Sequence, residues 1–143
     1  MANTDAALTV VTSLNPFSRV PVQLRCFRAW QELGVRIRTA NIDDEADRLL
    51  ALGLEETDIL RLTPEETGLE QHGKSMPKIA ASLHRLAALS DRNPVALLNS
   101  DLYPAMRTAG GLTFWFDHAP AMALTREECG APDTYRFPDQ TPY

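Results

Sequence analysis

The sequence has no apolar run near the ~20 residues that cross a bilayer, which argues against a transmembrane segment. It has no excess of positive charge: 14 Lys and Arg stand against 19 Asp and Glu, a net charge of −5. That balance excludes a protein that coats nucleic acid. It holds two cysteines, Cys26 and Cys129, too few for a disulfide framework, and they are expected as reduced thiols. Residues 1–14 lack a basic start and break their apolar character at Thr12 and Ser13, so no secretory leader is expected and the location is expected to be cytoplasmic. There is no G-x-S-x-G elbow and no G-x-G-x-x-G turn. His72, His84 and His118 share no metal-ligand spacing with each other or with the cysteines. Internal repeats, low-complexity tracts and linkers are absent as well. What remains is 143 residues, the size of one domain, long enough to bury roughly 68–70% of its unfolded surface without a staple.

Short β-like runs alternate with helical stretches, the pattern of a parallel α/β architecture. Leu8-Thr9-Val10-Val11-Thr12 is β-branched and suits a buried first strand. Val20, Leu24, Phe27, Trp30 and Leu33 recur at helical spacing, and Gly34 follows where a left-handed residue ends a helix. Residues 35–39 alternate apolar and polar, which predicts a second strand with one wet face near an edge. Asp43 and Asp44 are expected to cap a helix carrying Ala46, Leu49 and Leu50, with Gly53 past its end. Residues 59–62 form a third strand candidate. The window 55–70 holds six acidic residues against Arg61 alone and reads as a solvated loop. Ser75 is placed as an N-cap for a helix whose inner face is Met76, Ile79, Ala80, Leu83, Leu86 and Ala87. After a turn at residues 91–94, residues 95–98 read as a central strand. Residues 112–116 and 121–124 are further strand candidates, and the last dozen residues read as irregular chain. Trp30, Trp115, Phe114 and Phe116 are core candidates, Cys26 a packing residue and His84 a surface or boundary residue.

Open parallel sheets bind ligands beyond the carboxyl ends of their strands, where the strand order reverses. Three such ends are polar: Thr12-Ser13-Leu14-Asn15, Asn41-Ile42-Asp43-Asp44 and Asn99-Ser100-Asp101. Competing with them, Gly68-Leu69-Glu70-Gln71-His72-Gly73-Lys74-Ser75 matches the phosphate-loop pattern of nucleotide hydrolases. A working loop leaves its strand directly, whereas residues 63–67 intervene after Leu62, and Glu65, Glu66 and Glu70 crowd the anion's place. Val95 to Asp101 would serve such an enzyme as its apolar strand and metal-binding Asp, which keeps that alternative open.

Val10-Val11-Thr12-Ser13-Leu14-Asn15-Pro16, Gln23-Leu24-Arg25, Ala29-Trp30 before Leu33-Gly34, Gly73-Lys74, Pro77-Lys78-Ile79 and Leu97-Leu98-Asn99-Ser100-Asp101-Leu102 together resemble the nucleotide-diphospho-sugar transferase-like proteins. The last segment is similar to the family's Asn-Ser-Asp version of the Asp-x-Asp signature. The resemblance implies a three-layer, Rossmann-like sheet of the GT-A glycosyltransferase type, mostly parallel and flanked by helices. It implies a single nucleotide-sugar-binding domain over residues 1–143 that carries the donor-binding part without the acceptor half. Thr12, Ser13 and Asp43 would lie near base and ribose, and Asn15 and Ser100 beside the same ligand. Arg19 and Lys78 would contact the diphosphate. Asp101, with Asn99, would hold Mg²⁺ or Mn²⁺, an oxygen-ligand role. Asn99 would otherwise face the ribose. Asn99 also replaces a carboxylate of the usual signature, which weakens the cation site. The implied partner is a nucleotide-diphosphate sugar with an unidentified acceptor. No residue is assigned to acceptor deprotonation, and a non-catalytic binding module of the same fold stands as the alternative.

Overall fold

The β-branched stretch Thr9–Thr12 (β1) is buried along its whole length, as a strand sandwiched between layers must be. In this computed structural model, which describes residues 8–90 and 93–106, β1 lies inside a four-stranded sheet. The other strands are β2 (Arg36–Ile42), β3 (Ile59–Leu62) and β4 (Val95–Leu97). Their order is β3-β2-β1-β4 and every pairing is parallel. Helices α1 (Val20–Glu32), α2 (Asp43–Ala51), α3 (Leu69–His72) and α4 (Ile79–Leu89) fill the connections.

Two apolar clusters lie on opposite sides of the sheet, as the strand alternation requires. Val10, Ile37 and Ile59 pack with Phe27 and Trp30 of α1 and Ala46 and Leu49 of α2. Val11, Ala40 and Leu62 pack with Leu86 of α4. The sequence thus forms an all-parallel α/β sheet flanked by helices, as expected. No helix among the described residues is long and apolar enough to cross a membrane. Residues 112–116, 121–124 and the chain end, with Phe114, Trp115, Phe116, His118 and Cys129, lie outside the described residues.

α1 ends as its sequence predicts, with Gly34 at φ 79°, a conformation that costs a side chain about 1 kcal/mol. β2, expected near an edge, is instead flanked by both β1 and β3. Its wet face has a local cause. Pairing with β3 begins only at Thr39, so Arg36 and Arg38 have a strand on one side alone. Asp43 and Asp44 do not cap α2. Ile42 occupies the cap, and the two carboxylates sit in the first turn, where the positive end of the helix dipole favours them.

The predicted start of α4 is also displaced. Ser75 bonds the Glu45 carboxylate rather than a helix end, Pro77 bridges to Thr67, and the helix begins at Ile79. Its inner stripe is Ser82, Leu86 and Ser90, all buried, while Met76 and Ile79 are each 69% exposed. Apolar residues run around more than one side of this helix, and Leu86 is the one that packs against the sheet. β4, read as a central strand, pairs only with β1 among the described residues.

In the acidic window 55–70, Glu55, Glu56, Glu65 and Glu70 are exposed as expected, but the segment also carries β3 and two 3-10 turns that engage Asp58 and Glu66. Asp58 is buried and caps a 3-10 turn, accepting from the Glu55 backbone N–H (3.0 Å). Glu66 accepts two bonds from the Arg85 guanidinium, both at 2.9 Å, and one from the Thr63 backbone N–H, also 2.9 Å. The guanidinium first, and that N–H second, hold the Glu66 carboxyl down to about 2. A depressed carboxyl stabilises the fold fully above its unfolded value, and that contribution is lost as pH falls through about 2. Glu66→Gln should therefore lower stability near pH 6 by about 1 kcal/mol, after allowing for solvent screening, with the difference from wild type closing toward pH 2 in urea titrations. A pH-independent difference would contradict this assignment.

Candidate functional site

The chain runs from β1 outward through β2 to β3, then returns past both to place β4 on the other side of β1. The strand order therefore reverses between β1 and β4. Their last shared bond is Leu98 N–H to the Val11 carbonyl, 3.0 Å. Beyond it Thr12 and Ser13 continue from β1, and Asn99, Ser100 and Asp101 from β4. Two polar loops thus leave the sheet side by side, at the carboxyl ends of β1 and β4.

The loop after β1 is held by side chains that are far away in sequence. Leu14 N–H donates to Thr39 Oγ1 (2.9 Å), and Thr39 Oγ1 donates in turn to Asn41 Oδ1. Asn41 Nδ2 donates to the Leu14 carbonyl and to Glu45 Oε2, each at 2.8 Å. Gln23 of α1 closes the other end of the loop. Its Oε1 accepts from Asn15 N–H (2.7 Å), and its Nε2 donates to the carbonyls of Asn15 and Ser18. Asn15 Oδ1 accepts from Phe17 N–H at 2.9 Å, so this side chain builds the turn. The exposed Phe17 ring carries the Arg48 guanidinium 4.8 Å from its centroid. Sequence reasoning missed Thr39, and it named Asn41 only as part of a polar strand end and Gln23 only within a resemblance, without their holding roles. The available signal was amide and hydroxyl side chains at positions inside a strand and a helix.

The opposite loop is anchored by Trp30, whose indole N–H donates to the Leu102 carbonyl at 2.9 Å. It turns through a Leu102 N–H to Asn99 carbonyl bond of 3.3 Å. Arg19, at the N-cap of α1, adopts φ 53°, the one left-handed non-glycine among the described residues. Its guanidinium lies 3.8 Å from the Asp101 carboxylate, both exposed, so the pair links the two loops weakly.

Thr12 lies between the two loops and α1. It is 6% exposed, and its Oγ1 has no hydrogen-bond partner. With Asn99, Ser100, Cys26, Phe27 and Trp30 it lines a cavity of about 10 Å³, the size of one water molecule. A larger open hollow of about 370 Å³ lies along α1 beside Tyr103, and none of the predicted site residues lines it.

Thr12, Ser13, Asn15, Arg19, Asn99, Ser100 and Asp101 are thus gathered around the β1–β4 junction. Asp43 and Lys78 are not. The Asp43 carboxylate accepts from Arg61 of β3 at 3.0 Å, in a cluster with Asp47 (2.9 Å) and Glu56 (2.8 Å). Those three carboxylates raise the Arg61 pKa, the Glu56 bond most. Lys78 donates its Nζ to the Glu65 carbonyl (2.8 Å), next to the end of β3.

Residues 68–75 do not run from a strand into a helix. Gly68 precedes the single turn α3, and Gly73, at φ 64°, ends it. A phosphate loop needs successive backbone N–H groups aimed at one anion, yet here the Gly68 and Gly73 amides bond the carbonyls of Met76 (2.9 Å) and Leu69 (2.8 Å).

Among the described residues Asp101 is the carboxylate that follows Asn99 and Ser100 at the end of β4, and its partner there is Arg19. Among the described residues no group of three or more His, Cys, Asp or Glu is placed to hold a metal. This donor set fits a hard divalent cation that completes its shell with water and a ligand's phosphates; it does not fit a metal enclosed by protein. Comparison with protein-family models, curated proteins and solved structures found no match.

Proposed function

We propose that this chain is a Rossmann-like, GT-A-type donor-binding domain that takes a nucleoside-diphosphate sugar at the β1–β4 junction. The observation that carries the reading is the unpartnered, buried Thr12 hydroxyl in a small cavity shared with Asn99 and Ser100, the residues that lead to Asp101. A buried hydroxyl without a partner costs about 1–3 kcal/mol, a cost that a ligand hydrogen bond offsets. The reversal of strand order at the same point supports it, because parallel sheets bind nucleotides there.

Each residue has a part in this reading. Thr12 and Ser13 bond the nucleoside, and the rigid turn built by Asn15 keeps them in place. Arg19 releases Asp101 and turns to the diphosphate, a dianion that holds a guanidinium better than one exposed carboxylate does. Asp101, helped by Asn99 and Ser100, holds Mg²⁺ or Mn²⁺. When bound, the cation neutralises charge on the diphosphate. Asp43 stays with Arg61 and Lys78 with Glu65, so neither is needed for the ligand. Asn99, in place of a second carboxylate, favours a module that binds the donor without turning it over as the second reading. Donor hydrolysis assays separate the two.

UDP or GDP with Mn²⁺ should raise the Tm by several degrees through mass action. Asp101→Ala should abolish the Mn²⁺-dependent part. An unchanged shift in that variant would overturn the metal assignment. Lys74→Ala should leave nucleotide binding as it is, and loss of binding would return the site to residues 68–75.

A further inference from the structure

A second site emerges on the opposite side of the sheet, at the start of β2. Arg36 and Arg38 are two apart on one strand and so point to one face. Arg38 pairs in register with Val11, whose side chain packs with Leu86 of α4, which puts both arginines on the α4 side. The β3 pairing begins one residue later, at Thr39, so no strand flanks this stretch on that side. Arg36 is exposed and touches the α4 end through one long bond, Nη1 to the Leu89 carbonyl at 3.4 Å. Arg38 is half-buried, and its buried Nε donates to nothing.

The arrangement is costly as it stands. Two guanidiniums share a face, and one is partly removed from water with no counter-charge in contact among the described residues. Burial first, and the Arg36 charge second, push the Arg38 pKa down; Asp58 opposes them. Asp58 is already engaged elsewhere. Its carboxylate accepts from Gln31 (2.9 Å) and the Glu55 N–H (3.0 Å), with Arg28 at 3.8 Å.

We propose that Arg36 and Arg38 form a binding site for a phosphate-type oxyanion on the α4 side of the sheet, separate from the β1–β4 junction. A guanidinium presents parallel N–H donors that match two oxygens of one anion. Two guanidiniums suit a dianion such as inorganic phosphate or a phosphate monoester, whereas one carboxylate would balance only one of them. The site stands or falls independently of the nucleotide reading, because it shares no residue with the β1–β4 junction.

The test is thermal unfolding of the full chain in inorganic phosphate against sodium chloride of equal ionic strength. Wild type should gain about 3–6 °C in millimolar phosphate. Arg38→Met should lose that gain while its phosphate-free Tm equals or exceeds wild type, since the uncompensated charge is gone. Arg36→Met, at an exposed position that leaves folding intact, should weaken phosphate binding about tenfold. Asp101→Ala should keep the full gain. No gain in wild type overturns the proposal, as does a gain that persists in Arg38→Met. Titration of a phosphate monoester in parallel tells which source of the anion binds more tightly.

Discussion

Asn41→Ala lowers the Tm by about 10 °C, the largest single-residue effect expected at the site. Asn41 is fully buried, and its amide joins three partners: Thr39, the Leu14 carbonyl and Glu45. Alanine deletes the bonds and leaves the Leu14 carbonyl and the Thr39 hydroxyl short of partners. Stranded buried groups cost about 1–3 kcal/mol each, so a loss of about 3 kcal/mol is expected, or about 10 °C for a chain of this size. The loop after β1 should loosen with it, because Leu14 is where the network grips that loop. Nucleotide binding should therefore weaken well below the Tm. A variant that melts with wild type would mean the network carries no stability.

Thr12→Val goes the other way. Valine has nearly the shape of threonine and removes the hydroxyl that finds no partner. Stability should rise by about 1 kcal/mol, roughly 3–4 °C. Nucleotide affinity should fall about tenfold, the worth of one hydrogen bond lost in a water-poor site. Gain of stability with loss of affinity marks a position kept for its ligand. A fall in Tm instead would show that the hydroxyl is already bonded, through water in the small cavity, and would remove Thr12 from the ligand's contacts.

The parts of the fold legible in the sequence were those decided by neighbours along the chain. The β-branched run at Thr9–Thr12 and the apolar pair around Arg61 in Ile59–Leu62 became strands as read. Gly34 ended α1 in the left-handed conformation expected of it. Features decided across space were not legible. The alternation of Arg36 and Arg38 suggested an edge, but only the register with β3 shows why an interior strand carries two arginines. The apolar residues of α4 announced a helix, but of its expected inner face only Leu86 is buried against the sheet, while Met76, Ile79 and Leu83 are exposed. Asp43 resembled a nucleoside contact until Arg61 of β3 came within 3.0 Å. The clasp of Leu14, Thr39 and Asn41 spans 25 to 27 residues of sequence and has no local signature. The Thr12 hydroxyl was named from its place at a strand end; that it lacks a partner is a property of the folded chain alone.

The central claim is that a nucleoside diphosphate binds across the β1–β4 junction with a divalent cation at Asp101. Paramagnetic broadening of backbone amide signals by substoichiometric Mn²⁺ in the presence of UDP tests it most directly. The account predicts that the amides of Thr12, Ser13, Ser100 and Asp101 broaden together, that those of Gly73, Lys74 and Ser75 stay sharp, and that Asp101→Ala abolishes the effect. Broadening centred on residues 68–75, or none that depends on UDP, would contradict it.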